Sequence, residues 1–153
     1  MAWQCTWAVP HDLAGRIRLM GGPDGLVQKI DTLLDTPPVF ETGSYPSEVH
    51  EMKEMSRVDF GQYAHCNPHM HQVLWLYTLA GTPEKYHHMH QVLNELYSFT
   101  SRGFAGDENN GGMSPWFSLA LFDITQFAQV SQTILWDFPG YQQSSSASLT
   151  DRI

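Results

Sequence analysis

The sequence predicts a mainly α-helical fold, and three observations carry that reading. Apolar residues recur at three- and four-residue spacing along most of the chain. Prolines and glycines fall where those runs start and stop, as they do at helix ends. No stretch of useful length alternates apolar with polar residues, the mark of a half-buried strand. At 153 residues the chain has the length of one ordinary domain and can bury a sizeable core.

The elements follow in order. Asp12 is placed to cap a short helix carrying Leu13, Ile17 and Met20 on one face, which Gly21-Gly22 ends. Pro23-Asp24 starts the next helix, where Leu26, Ile30, Leu33 and Leu34 repeat until Pro37-Pro38 stops them. Residues 39–47 read as a loop. Beyond it Val49, Met52 and Met55 line one side of a short helix, while Glu48, Glu51 and Glu54 form an acidic stripe read as a solvated face rather than a metal site. A strongly apolar helix is expected from Met70 to Ala80, closed by Gly81. Thr82-Pro83-Glu84 then opens another, with Tyr86, Met89, Leu93, Leu96 and Tyr97 as its buried stripe. After the polar loop 101–112, Ser114-Pro115 begins a last apolar helix. Short connections between such helices imply helical hairpins. Past Leu121 the pattern loosens, and residues 142–148 are rich in Ser and Gln. The expected division is a helical domain over 1–121 and a poorly ordered tail over 122–153.

Charge narrows the partners. The formal net charge is -8, and no Lys/Arg run is present to neutralise phosphates, which argues against nucleic acid and anionic membrane surfaces. No run of about 18 apolar residues spans a membrane, and the first residues, MAWQCTWAVPHD, lack the layout of a signal peptide. Cys5 and Cys66 have no CxxC spacing and define neither a zinc site nor a redox compartment.

Three stretches differ from helical filler. The first is Trp3-Gln4 with Trp7, Pro10, His11 and Asp12, then Gly15 and the Leu19–Gly22 run; its aromatic faces suit a sugar, or else simply a core with an Asp cap. The second is Val58-Asp59-Phe60-Gly61-Gln62-Tyr63-Ala64-His65, with Asn67, Pro68, His69 and His71 after it. The third is Gly106-Asp107-Glu108-Asn109-Asn110-Gly111, with Met113, Ser114 and Trp116 following. Acids and amides in a glycine-flanked loop before a helix can gather oxygen ligands for a hard cation or hold a water-activating carboxylate. The histidines at 65, 69, 71, 87, 88 and 90 also allow a transition-metal reading, with His87 and His90 one helical turn apart.

In this order, AWQCTWAVPHDLAGRIRLMGG, SEVHEMKEMSRVDFGQYAHCNPHMHQVLWLY and GDENNGGMSPW resemble glycoside hydrolase family 92. The resemblance implies an (α/α)6 barrel, of which this chain would be a part without the family's N-terminal β-sandwich. It also implies calcium-dependent, inverting exo-α-mannosidase activity on mannose-containing glycans, and a secreted or periplasmic setting. Carried over by position, Trp3, Trp7, His11, Asp12 and His65 would contact substrate. Asp107 matches the first acid of the acidic loop; Asn109 stands where the family carries its general base, and an amide takes no proton from water at neutral pH. Asn67 and Asn109 match calcium contacts, whereas Pro68 offers no side-chain oxygen, and His69 and Gln72 also depart from the pattern. The family accounts for His65 and His71, leaving the other histidines as surface groups. The family's general-acid Glu would fall before Met1. The expectation is therefore a mannosidase fragment, or alternatively an inactive truncated product or residual carbohydrate-binding module, self-associating through exposed helix faces.

Overall fold

The structure, a computed structural model, describes residues 2–44, 46–101, 103–104, 106–122, 124–126 and 134–136. It is mainly helical, as expected. Its helices are α1 (Ala2–Cys5), α2 (Leu13–Leu19), α3 (Pro23–Asp35), α4 (His50–Met55), α5 (Leu76–Leu79), α6 (His87–Glu95) and α7 (Met113–Leu121), with 3-10 turns at Pro68–Met70 and Pro83–Tyr86.

The caps form where the residue types dictate. Asp12 Oδ1 accepts from the Gly15 amide at 2.8 Å, and a Cβ on Gly15 would collide with that carboxylate, so residue 15 must be small for the cap to close. After α2, Gly21 and Gly22 take φ of 92° and 91°, and the Gly22 amide bonds back to Ile17 O at 2.9 Å, which turns the chain into α3. Leu26, Ile30 and Leu33 of α3 are buried and pack with Trp7, Val73, Leu74, Trp75, Leu76 and Tyr77 in one core. Helices α2 and α3, α3 and α5, and α6 and α7 are in contact.

Two expectations change. The helix expected over 70–80 is mostly a chain of tight turns: Val73 N to Met70 O, Leu76 N to Val73 O and Tyr77 N to Leu74 O all span three residues, and only Leu76–Leu79 is α-helical. Met70 and residues 73–77 are so buried that tertiary packing, not helical periodicity, sets their backbone. The second change lies beyond α7. Ile124–Gln126 pairs antiparallel with Ile134–Trp136, a short ladder whose β-branched and aromatic residues favour extended backbone. The remainder of the expected tail, residues 123, 127–133 and 137–153, lies outside the described residues. Among those described, no helix is long and apolar enough to cross a membrane.

Candidate functional site

The second and third sequence stretches meet at Cys66. The segment from Phe60 to Cys66 is buried throughout, so every polar group in it needs an internal partner. The Glu54 carboxylate of α4 supplies two: Oε1 accepts from the His65 amide at 2.6 Å and Oε2 from the Cys66 amide at 3.0 Å. From the other side the Asn109 side-chain amide donates to the Cys66 carbonyl. Gly106 closes the approach: a Cβ there would lie 2.6 Å from Cys66 Cβ and 2.9 Å from Glu54 Oε2, so only glycine lets the acidic loop sit this close. Burial raises the Glu54 pKa, with the bonds from Cys66 and His65 pulling against it. Burial first, and the Glu54 charge after it, push the Cys66 thiol up, which leaves it unreactive. Cys5 is exposed, and both cysteines are free.

His65 sits at the centre of an aromatic cage. Its ring lies 4.2 Å from Trp116, 5.1 Å from His71 and 5.6 Å from Tyr97, centroid to centroid. Nδ1 is 2.9 Å from the Tyr63 hydroxyl and Nε2 is 2.8 Å from the Tyr97 hydroxyl. Tyr97 in turn donates to the Met113 carbonyl at 3.3 Å, which fixes the proton order. Tyr63 donates to Nδ1, Nε2–H donates to Tyr97, and Tyr97 donates to the backbone at the start of α7. Burial, then His71, holds the His65 pKa well below its ordinary value, so the ring stays neutral. Burial also lowers His71. Trp116 Nε1 donates to His71 O at 2.8 Å, locking α7 to the turns after Met70.

The acidic loop ends in two residues with left-handed backbone, Asn109 at φ 56° and Asn110 at φ 53°, a conformation asparagine tolerates better than most. The two acids divide their work. Glu108 is spent on structure: its carboxylate accepts from the Gly111 amide and from Ser114 Oγ at the entrance to α7. Asp107 is exposed, and its Oδ1 accepts from the adjacent Glu108 amide at 2.9 Å.

The first stretch combines core and surface positions. Trp7 is 0% exposed in the core, and its carbonyl accepts from Arg16 Nη1 at 3.1 Å and Gln72 Nε2 at 2.8 Å. His65 is enclosed with both ring nitrogens bonded. Asp12 serves as the α2 cap, and His11 is exposed beside it. Trp3 is half-buried, with Lys29 Nζ 4.4 Å from its ring. Asn67 Oδ1 accepts from the His69 amide at 3.3 Å, capping the turn at Pro68. The geometry thus brings His65, Asn67, Asp107 and Asn109 into one region around Cys66. Three further histidines make ring contacts: His87 on His88, His88 on Tyr77 and His90 on Tyr86. No group of three His, Cys, Asp or Glu suited to a metal ion occurs among the described residues.

Glu54 and Arg16 are the residues that sequence reasoning missed. Glu54 sits in an acidic stripe that reads as solvated, yet it is 1% exposed. Arg16 is buried, with its guanidinium on neutral acceptors. Nothing in the helical spacing of either marks it as internal.

Comparison with known proteins places the chain in a family. The glycosyl hydrolase family 92 catalytic domain matches residues 1–143. Among solved structures, the chain is similar to the family GH92 inverting mannosidase of Bacteroides thetaiotaomicron, at 31% identity and a TM-score of 0.68. That match covers 91% of this chain and 19% of the mannosidase chain, so the present chain spans about a fifth of that relative's length. No curated protein matches.

Proposed function

Because the chain belongs to glycosyl hydrolase family 92, we propose that it forms one side of the (α/α)6-barrel active site of an inverting, calcium-dependent exo-α-mannosidase acting on mannose-containing glycans. The observation that carries this reading is the docking of the acidic loop on Cys66, which joins segments 43 positions apart through the Asn109 amide. In an inverting hydrolase one carboxylic acid protonates the leaving oxygen while a carboxylate activates water on the opposite face. Of the two acids in the loop, Asp107 is the one left to meet water or a sugar hydroxyl, since both oxygens of Glu108 hold the entrance to α7.

The donor chemistry supports calcium, a cation that takes oxygen ligands. The Asn109 side-chain nitrogen is turned to Cys66 O, which leaves its oxygen as the outward acceptor, and Asn67 offers a second amide oxygen next to Cys66. These two, with Asp107, would hold the ion; Pro68 adds nothing. When bound, calcium supplies Lewis-acid pull on sugar hydroxyls.

Asn109 also favours a second reading, in which the site binds glycan without hydrolysing it. Its nitrogen is committed to the Cys66 carbonyl and its backbone to a left-handed turn, the pattern of a structural residue in a position where the family carries a base. One measurement separates the two. With α-mannobiose and excess Ca²⁺, turnover that EDTA and Asp107→Ala each abolish establishes hydrolysis. Mannobiose binding without turnover establishes the second reading, and the absence of both binding and turnover overturns the two together.

A further inference from the structure

Two positions place an acid or amide side chain immediately before glycine: Asp24-Gly25 and Asn110-Gly111. Such a pair is chemically labile, because glycine has no Cβ to hinder attack by its amide nitrogen on the preceding side-chain carbonyl. Asparagine is itself among the thermolabile residue types. Both Asp24 and Asn110 are exposed, so backbone geometry is what separates them. Asp24 and Gly25 lie in the first turn of α3, and the Gly25 backbone is pressed on the Met20 carbonyl, where an added Cβ would lie at 1.9 Å. A helical backbone held in this way cannot swing the following amide onto the side chain before it. Asn110 lies in a turn, with φ of 53° and, at Gly111, 92°. Nothing lies within 4 Å of where a Gly111 Cβ would stand, and among the described residues the Asn110 side chain has no hydrogen-bond partner. The Gly111 N–H donates to Glu108 Oε2, so a carboxylate already sits at the nitrogen. The neighbouring Asn109 is protected on both counts: its amide is bound to the Cys66 carbonyl, and the residue after it carries a Cβ.

We propose that Asn110 is a site of spontaneous deamidation, passing through a cyclic imide to aspartate and isoaspartate. The Gly111 nitrogen attacks Asn110 Cγ; the new N–C bond forms and the Cγ–Nδ2 bond breaks. The Gly111 amide proton passes to Glu108 Oε2 and leaves with the departing nitrogen as ammonia. Water then opens the imide. Addition at Cγ gives aspartate, and addition at the backbone carbonyl gives isoaspartate, in which the main chain runs through the side-chain carbon. No oxidant or cofactor enters. Either product adds one carboxylate to a loop that already carries Asp107 and Glu108. Isoaspartate also adds a methylene to the main chain between Asn109, bound to Cys66, and the start of α7, which lengthens the connection from the docking point to that helix. The site is independent of the glycan reading above.

The test incubates the full chain in mildly alkaline buffer, folded and urea-unfolded, and maps its peptides by mass spectrometry with isoaspartyl methyltransferase labelling. In the folded chain the peptide carrying Asn110 is expected to gain the mass difference of hydroxyl over amine and to accept methyl label. The intact chain should move one charge more negative on isoelectric focusing. Asp24 is expected to take label only when the chain is unfolded. Asn110→Gln, whose longer side chain disfavours ring closure, is expected to lose the product, and Glu108→Gln to slow it, with circular dichroism checking that both variants fold. Absence of mass gain and label at Asn110 in the folded chain overturns the proposal. Equal labelling of Asp24 and Asn110 in the folded chain overturns it too, since the backbone then selects nothing. Product persisting in Asn110→Gln places the modification elsewhere and overturns the site. A rate unchanged or raised in Glu108→Gln overturns the proton path through that carboxylate.

Discussion

The two loops that meet at Cys66 are built on opposite principles. The Tyr63–Cys66 segment is wholly enclosed, and its polar groups find protein partners: two backbone amides on Glu54, two ring nitrogens on tyrosine hydroxyls. The loop from Asp107 to Gly111 is held mainly by short-range bonds to its own neighbours, runs through two left-handed asparagines and leaves Asp107 in solvent. The enclosed segment costs free energy if any partner is lost, so its role is to set shape. The open loop tolerates substitution at its exposed positions, Asp107 and Asn110. Stability and chemistry are therefore separable here, and substitutions on either side of Cys66 can show whether they are.

The largest effect is expected at His65. Truncation to alanine empties the cage and strands the Tyr63 and Tyr97 hydroxyls, at a cost of about 3–5 kcal/mol. Glu54→Leu comes next: it fills the space but leaves the His65 and Cys66 amides without acceptors, costing about 2–4 kcal/mol. Asp107→Ala, across the junction, should leave the urea midpoint where it was. Urea melts of the three variants check the order. A shift for Asp107→Ala as large as that for Glu54→Leu would break the division between the two loops.

The enclosed side should also carry the pH dependence. His65 and His71 both have pKa values lowered in the folded state from an ordinary 6.5, so the unfolded chain gains protons first as pH falls. Their stabilisation is complete above 6.5 and is lost on acidification. Glu54 is raised from an ordinary 4.5, and its sign is opposite: its contribution is complete below 4.5 and is lost as pH rises through the raised value. Between 6.5 and 4.5 the two therefore oppose each other. Glu54→Gln removes the counteracting slope, and the urea midpoint should fall more steeply with acid over that window. An unchanged slope would show that Glu54 does not titrate there.

How much of this was legible in the sequence depends on the range of the forces involved. The Asp12 cap, the Gly21-Gly22 turn and the buried stripe of α3 are local, determined within a few residues, and the sequence reads them correctly. The three long motifs identified the region that the acidic loop and the histidine segment share. What the sequence did not display is long-range. Periodicity alone called the Met70–Ala80 run a helix, because burial on all sides looks the same in sequence whether the backbone is helical or a series of turns. Glu54 reads as a solvated acid for the same reason: it is defined by groups far along the chain, His65 and Cys66.

A smaller cost than at His65 or Glu54 is expected at Asn110, on the open side, and it tests the comparison most finely. Its φ of 53° lies in the left-handed region, where a β-branched side chain crowds the following carbonyl. Asn110→Val should cost about 1–2 kcal/mol, through local backbone strain alone, since the side chain is exposed. Asn110→Gly meets no such crowding and should stay close to the parent. If the valine variant instead loses as much as Glu54→Leu, strain in the open loop is transmitted through Asn109 to Cys66, and the loop is part of the enclosed scaffold. A hydrogen-exchange comparison of the His65 and Cys66 amides in the two variants reads this directly: protection retained in Asn110→Val means the loop yields on its own.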